Sequence, residues 1–119
     1  MWIDPEAIKL FQADLGSDQG KSVCLSFCSM LCDRISTATD LLMKSDCLED
    51  LERVCHNIKN NANYVGASAL SSCAKKYELF CKEADTQNIK EHQDEFLNIL
   101  QSTSSELHLF MEEQGQTSQ

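Results

Sequence analysis

The sequence predicts an all-α fold: an up-down-up-down four-helix bundle with a short additional N-terminal helix. Apolar residues recur at helical spacing through nearly the whole chain of 119 residues, and no long stretch alternates with the period of two that marks a strand. One proline and four glycines are too few for the many turns of a β-sandwich or barrel. Amphipathic segments joined by short connections most simply form such a bundle.

Capping residues predict where the first two helices begin and end. Asp4-Pro5-Glu6 begins a short first helix, because Asp caps the first turn and Pro is tolerated inside it. This helix ends near Gly16. A second helix is expected to follow Ser17-Asp18 and to run to about Lys44.

Three further helices are expected in the rest of the chain. The third begins at the capping box Asp46-x-x-Glu49 and stops at Gly66, where a left-handed residue is expected. The fourth starts at Ser68 and keeps its apolar face to Ala84. The last opens with Asn88-x-x-Glu91.

Length and charge narrow the class of protein. The chain suits one domain, which we place at residues 1–114, with the polar residues 115–119 expected to fray. A net charge of −9 argues against a general nucleic-acid binder. The chain lacks an apolar run of about 18 residues and its first residues do not read as a signal peptide, so we expect no membrane association and a cytoplasmic location. Polar outer helix faces without a heptad seam predict a monomer.

Seven cysteines admit two interpretations. Cys24, Cys28 and Cys32 repeat every four residues, which spreads their thiols along one side of a helix instead of converging them on a metal ion. The odd total and the lack of a secretory signal argue against a disulfide framework. We therefore interpret the cysteines as small buried hydrophobes and expect no metal site, with a zinc- or redox-responsive protein as the alternative.

One histidine lies on the polar side of its helix. Projected at about 100° per residue, His56 falls roughly 140° from the centre of the apolar stripe of the third helix. Its neighbours on this projection are polar: Glu52, Lys59, Asn60 and Asn63. The alternative is an idle surface histidine, which is how we interpret His92 and His108 on the last helix.

Basic residues are concentrated around His56. The segment 53–82 contains five basic residues and one acid, whereas the rest of the chain contains five basic residues and 18 acids. The five basic residues are Arg53, Lys59, Lys75, Lys76 and Lys82. A positive patch on an acidic protein steers an acidic partner to one face, although a chance fluctuation would produce the same count.

The segment 54–67 resembles the signature of histidine-containing phosphotransfer domains. In that family a histidine is followed by an apolar residue, a lysine, small residues, and then an apolar residue and glycine. The matching residues are His56, Ile58, Lys59, Ala62, Val65 and Gly66. Length, helix order and the short leading helix also match, and the chain is most similar to the free-standing LuxU-type relay proteins of bacterial quorum sensing.

This resemblance implies a function and partners. His56 would accept a phosphoryl group from the receiver domain of a hybrid sensor kinase and pass it to the receiver domain of a response regulator. Lys59 would stabilise the charge, while Mg²⁺ would belong to the receiver and the chain would need no cofactor of its own. No Gly-x-x-x-x-Gly-Lys loop is present, so we expect a phosphocarrier without ATP-dependent kinase activity.

Two departures from the family pattern lie beside the histidine. Asn60 and Asn63 replace small residues, and they either narrow access to the imidazole or donate hydrogen bonds to phosphoryl oxygens. Glu78 falls where some family members orient the histidine, although a plain surface glutamate is equally compatible. We take as candidate binding residues Asn60, Asn63, Gly66, Arg53, Lys75 and Lys76. A helical docking module without chemistry remains the alternative function.

Overall fold

In the computed structural model, the chain is described over residues 1–16, 19–44 and 47–117, with side chains described to residue 114. These residues form helices and turns and contain no strand. The α-helices are α1 (Pro5–Asp14), α2 (Gly20–Lys44), α3 (Leu48–Ala62), α4 (Ser68–Lys82), α5 (Thr86–Glu91) and α6 (Gln93–Thr117). A single 3-10 turn, Asn63–Val65, follows α3.

The four longer helices after α1 form the bundle. Helix α2 packs against α3 and α6, α3 packs against α4, and α4 packs against α6, which closes a ring of four. Helix α1 lies against α2 and the 3-10 turn. The predicted all-α fold with a short N-terminal helix is confirmed, and α5 is a further short helix between α4 and α6.

The bundle encloses one apolar core. Its largest fully buried apolar side chains come from every helix of the bundle and from α1: Ile8, Leu31, Ile35, Leu42, Ile58, Leu70, Tyr77, Phe96, Leu100 and Leu107. The centroids of the Tyr77 and Phe96 rings are 4.4 Å apart, and the Tyr77 hydroxyl donates a hydrogen bond to the Ile89 carbonyl at 2.7 Å. The polar end of this buried tyrosine is therefore satisfied inside the core.

The first helix starts as the sequence predicts. The Asp4 side chain accepts a hydrogen bond from the backbone N–H of Glu6, which caps α1. The predicted caps at Ser17-Asp18 and at Asp46 lie outside the described residues. Helix α3 begins at Leu48, and Cys47, in the N-cap position, makes no side-chain capping bond.

Gly66 follows the 3-10 turn after α3 and packs against the start of α1. It adopts the left-handed conformation (φ 67°), as predicted, although the 3-10 turn separates it from the end of α3. The backbone N–H of Asp4 donates to the Val65 carbonyl at 2.9 Å, and a Cβ at position 66 would collide with the Cβ of Asp4. Only glycine fits both the backbone angle and this close approach.

The end of α4 differs from the prediction at Ala84, which was expected on the buried face. Ala84 is instead exposed and left-handed (φ 52°), two residues after α4 ends at Lys82. The N–H of Asp85 donates to the Phe80 carbonyl, and the N–H of Ala84 donates to the Cys81 carbonyl. These bonds form a Schellman motif, in which the left-handed position usually holds glycine.

The prediction that the last helix opens at Asn88 was wrong. Asp85 caps a separate helix, α5, by accepting from the backbone N–H of Asn88, and α6 starts only after His92. The Asp85 side chain satisfies one free N–H group in the first turn of α5, so a separate short helix begins before Asn88 and the last helix begins only after it. Helix α6 extends to Thr117, past Gly115.

The longest helices, α2 and α6, have 25 residues each. Neither of them, nor any other helix in the described ranges, is long and apolar enough to cross a membrane. The carboxylate of Glu106 on α6 accepts backbone N–H bonds from Trp2 and Ile3 at 2.9–3.2 Å. The N-terminal segment is thereby attached to the bundle.

Candidate functional site

His56 projects from the outer face of α3, as the helical projection predicts. Its side chain is 53% exposed, whereas the preceding residue, Cys55, is fully buried. The separation follows from the helix itself, because consecutive residues point about 100° apart. His56 is therefore anchored by a buried neighbour and presents its ring at the surface.

Glu78 on α4 reaches this histidine from the facing helix. Its Oε2 lies 2.8 Å from Nδ1 of His56, and its side chain is only 8% exposed. The sequence left open whether Glu78 contacts His56 or lies idle at the surface, and the structure shows the contact. The carboxylate fills the groove between α3 and α4 beneath the ring.

Two lysines also contact the Glu78 carboxylate. Lys59 donates to Oε1 at 2.7 Å, and the Lys82 ammonium lies 3.4 Å from Oε2. The hydrogen bond from Lys59 is the main cause that lowers the pKa of Glu78 to about 2, assisted by the bonds from His56 and Lys82 and opposed by burial. Glu78 is therefore ionised at neutral pH, although it is buried.

The charge on Glu78 defines the tautomer of His56. An ionised carboxylate only accepts hydrogen bonds, so the proton shared with it is carried by Nδ1. In the neutral ring the other nitrogen, Nε2, then carries the free lone pair. An imidazole nitrogen with a lone pair on an exposed side chain is chemically able to act as a nucleophile.

Acidic side chains offset the lysines around the ring. Lys59 and Lys82 together face one carboxylate, while Glu49 and Glu52 line the depression that contains His56. Lys82 was counted in the basic segment but was missed as a site residue. The sequence signal for this contact was the spacing of Lys82 from Glu78. Residues four apart on a helix are neighbours, and Lys82 follows Glu78 by four.

Ser71 is a second residue of the site region that sequence reasoning missed. Its hydroxyl on α4 donates to the backbone carbonyl of Lys59 on α3 at 3.0 Å. This bond links the two helices close to the His56–Glu78 pair. No sequence signal could have found it, because it depends on how α3 and α4 are aligned along their axes.

The two asparagines near His56 are both exposed. The side-chain nitrogen Nδ2 of Asn60, one turn after His56, lies 3.5 Å from Nε2 of the ring. Asn63 is the first residue of the 3-10 turn. Asn60 is therefore the asparagine that contacts the nucleophilic side of the imidazole.

The predicted basic residues are distributed unequally around the site. Arg53 is exposed, pairs with Asp50 at 3.4 Å and helps to line a shallow depression that includes His56, Glu78 and Lys82. Lys75 and Lys76 are both exposed on α4, roughly 60° and 160° around the helix from Glu78. Lys75 shares the face of Glu78, whereas Lys76 lies on another side of the bundle.

The surroundings of Cys73 support this placement of Lys76. Burial raises the pKa of the Cys73 thiol to about 11, with Glu95 of α6 raising it further and Lys76 lowering it. Lys76 thus lies close to Cys73, which it follows by one turn on α4. Gly66, also predicted as a binding residue, packs against Asp4 and Ala7 of the N-terminal region, which gives it a structural role.

The cysteines are core residues, as expected. Six of the seven are buried, and Cys47 is partly exposed. Burial raises the pKa of Cys28 to about 12 and that of Cys81 to about 11, so both are neutral thiols near pH 7. Among the residues that the structure describes, no group of three or more His, Cys, Asp or Glu side chains is placed to hold a metal ion.

The fold and the site together define a class of protein: a four-helix bundle that presents an exposed histidine oriented by a buried carboxylate. The model of the Hpt domain family matches residues 22–113 of this chain, and the chain belongs to that family. Hpt domains perform histidine phosphotransfer in two-component phosphorelays, interact with receiver domains and have no kinase activity of their own. No curated protein and no solved structure matches the chain.

Proposed function

We propose that this protein is a phosphorelay intermediate in which His56 carries the phosphoryl group. The group comes from a phospho-aspartate on the receiver domain of a hybrid sensor kinase and goes to an aspartate on the receiver domain of a response regulator. The observation that supports this proposal is the 2.8 Å contact between Nδ1 of His56 and the ionised Glu78, which directs the other ring nitrogen outward. The sequence resemblance favours a LuxU-type relay of quorum sensing.

The transfer step requires one bond to form and one to break. The lone pair of Nε2 attacks phosphorus while the bond from phosphorus to the aspartate oxygen breaks, and the aspartate leaves as a carboxylate. The Nδ1 proton stays in place, so the ring becomes positively charged as the phosphorus–nitrogen bond forms. The Glu78 carboxylate at 2.8 Å stabilises that positive charge, which is larger in the transition state than in the resting ring.

The lysines contribute electrostatics to this step. Lys59 and Lys82 hold Glu78 in its ionised form and supply cationic groups beside the incoming phosphoryl group. Phosphoryl transfer depends mainly on positioning and charge stabilisation, so the chain needs to supply little covalent chemistry beyond the nucleophile. We assign Mg²⁺ to the receiver domain and no cofactor to this chain.

The decisive experiment replaces the proposed carrier atom. His56→Gln keeps a polar side chain of similar size on an exposed helical face but weakens the 2.8 Å bond to the buried Glu78, so we expect a folded protein that loses about 1–2 kcal/mol of stability. We expect no phosphate uptake, because an amide nitrogen is not a nucleophile here. Uptake is measured as an acid-labile phosphate after incubation with phosphoramidate and with a panel of phosphorylated receiver domains.

Two matched variants control this experiment. His92 and His108 are the other histidines of the chain, and both are exposed on the surface. We expect His92→Gln and His108→Gln to accept phosphate at the parental rate. Uptake by His56→Gln would refute the assignment of the carrier. Parental protein that binds receivers but takes up no phosphate would favour the docking module.

The proposal extends to location and assembly. We propose that the protein acts in the cytoplasm and as a monomer, because the sequence carries no sustained heptad seam and exposed large apolar side chains such as Leu10, Met43 and Leu109 lie on different helices. Sedimentation velocity at micromolar concentration tests the oligomeric state. A stable dimer would contradict the monomer and would identify a helix face that is buried between two chains.

A further inference from the structure

Asn60 occupies the position nearest to the nucleophilic nitrogen of His56. It lies one turn further along α3, its side chain is exposed, and its Nδ2 is 3.5 Å from Nε2 of the ring. This distance is at the outer limit of a hydrogen bond, so the interaction is weak in the resting state. It nevertheless places an amide in front of the atom that must attack phosphorus.

The orientation of this amide is determined by the rest of the site. Because Nδ1 of His56 donates its proton to Glu78, Nε2 in the neutral ring is an acceptor. The Asn60 group facing it must then be the NH₂ donor, which agrees with the contact through Nδ2. Glu78 and Asn60 thus contact opposite nitrogens of one ring, one as acceptor and one as donor.

We propose that Asn60 is a positioning residue that slows phosphoryl exchange and prolongs the life of the phosphorylated state. This inference rests on the proposed function of His56. In the resting protein the Asn60 amide covers the lone pair of Nε2 and must move before the nitrogen attacks. After transfer, the same NH₂ group donates to an oxygen of the phosphoryl group bound to Nε2.

The longer life of the phosphorylated state follows from the charge changes during transfer. In the loose transition state of phosphoryl transfer, the bond to nitrogen is largely broken and the phosphoryl oxygens have lost negative charge. A donor to those oxygens therefore stabilises phosphohistidine more than it stabilises the transition state. Asn60 should lengthen the lifetime of the phosphorylated protein against both water and an accepting aspartate.

Two substitutions separate hydrogen bonding from steric cover. Asn60→Ala removes both, while Asn60→Asp keeps the size of the side chain, removes the donor and adds a negative charge. Both changes fall on an exposed helical position, where the fold is tolerant. The matched control is Asn57→Ala, on the same helix in a depression lined by Arg34 and Thr37 on the α2 side.

The protein is phosphorylated with phosphoramidate, and the uptake rate and the half-life of the acid-labile phosphate are measured at neutral pH. We expect Asn60→Ala to take up phosphate several-fold faster and to lose it several-fold faster. Asn60→Asp should lose it at least as fast as Asn60→Ala, because a carboxylate repels the phosphoryl oxygens. Asn57→Ala should match the parent in both rates.

A spectroscopic measurement tests the resting contact without any phosphate. In Asn60→Ala, the ¹⁵N resonance of Nε2 in His56 should move toward that of a nitrogen with a free lone pair. Parental half-lives in both variants, a parental half-life in Asn60→Asp alone, or an unchanged Nε2 resonance would each overturn the inference. If the parent takes up no phosphate, the proposed function of His56 is refuted instead. The Nε2 resonance then tests only the contact between Asn60 and His56 in the resting protein.

Discussion

Glu78 and His56 form a 2.8 Å pair in which a buried carboxylate from α4 holds an exposed ring on α3. The two residues lie 22 positions apart in the chain, so the pair exists only when the α3–α4 hairpin is closed. The Ser71 hydroxyl, bonded to the Lys59 carbonyl, holds the same two helices together. The orientation of the His56 ring is therefore a property of helix packing.

Glu78→Gln is expected to slow phosphorylation of His56 by about 10- to 100-fold. The substitution removes a charge-assisted hydrogen bond, worth about 1.5–3 kcal/mol, which corresponds to that range in rate. The change also leaves Lys59 and Lys82 without their shared counter-ion. The measurement is the initial rate of phosphate uptake from phosphoramidate, compared with the parent.

Glu83→Gln is the control for this variant, because Glu83 is exposed and lies at the end of the same helix. It changes the net charge by the same amount and should leave the uptake rate at the parental value. A parental rate in Glu78→Gln would show that the carboxylate does not orient the reacting ring.

The stability of the protein should fall between pH 5 and pH 2 because of Glu78. Its pKa is lowered from 4.5 in the unfolded chain to about 2 in the folded protein, so its contribution is present above pH 4.5 and disappears as the pH falls toward 2. At about 1.4 kcal/mol for each pH unit, the contribution is up to about 3 kcal/mol. Urea unfolding across this range should show the advantage of the parent over Glu78→Gln shrinking by that amount. Parallel stability curves would contradict this prediction.

Lys59→Ala should reduce both transfer and stability. From its place on the polar side of α3, the sequence predicted a stability change below about 0.5 kcal/mol. Its 2.7 Å bond to the buried Glu78 raises the expected loss to about 1–2 kcal/mol, between the values for exposed and buried ion pairs. The transfer rate should fall several-fold, with a larger loss at low salt, where charges are less screened.

Lys90→Ala is the matched control for Lys59→Ala, because Lys90 is exposed on α5. It removes one positive charge without touching the Glu78 pairs. Urea unfolding and uptake rates at two salt concentrations are compared in the three proteins. An equal response of the two lysine variants would mean that Lys59 acts only through net charge.

Ala84→Gly is expected to stabilise the protein by about 0.5–1 kcal/mol. Ala84 has φ 52° in the Schellman motif, and a left-handed residue with a Cβ costs about 1–2 kcal/mol, partly offset by the larger freedom of glycine in the unfolded chain. Ala69→Gly, at an exposed position within α4, should have the opposite sign. Urea unfolding checks both, and a loss of stability in Ala84→Gly would refute the strain argument.

Local residue patterns were sufficient to predict the helices and the exposed histidine. The apolar period of α3, the cap at Asp4 and the left-handed Gly66 act within one or two turns of the chain, so the sequence alone identifies them. Predictions failed where two local signals competed. The side chains of Asp85 and Asn88 are both able to cap a helix. The backbone hydrogen bonds that end α4 place Asp85 at the N-cap position of α5.

The sequence by itself determined the helical class, the outward position of His56 and the excess of basic residues around it, because each depends on the composition or spacing of one segment. Only the tertiary structure decided that Glu78 is buried, that it bonds to His56 and that Lys59 is paired with it. These relationships depend on the axial alignment and rotation of α3, α4 and α6 against one another. Packing of the whole core sets those quantities, and no single helix encodes them.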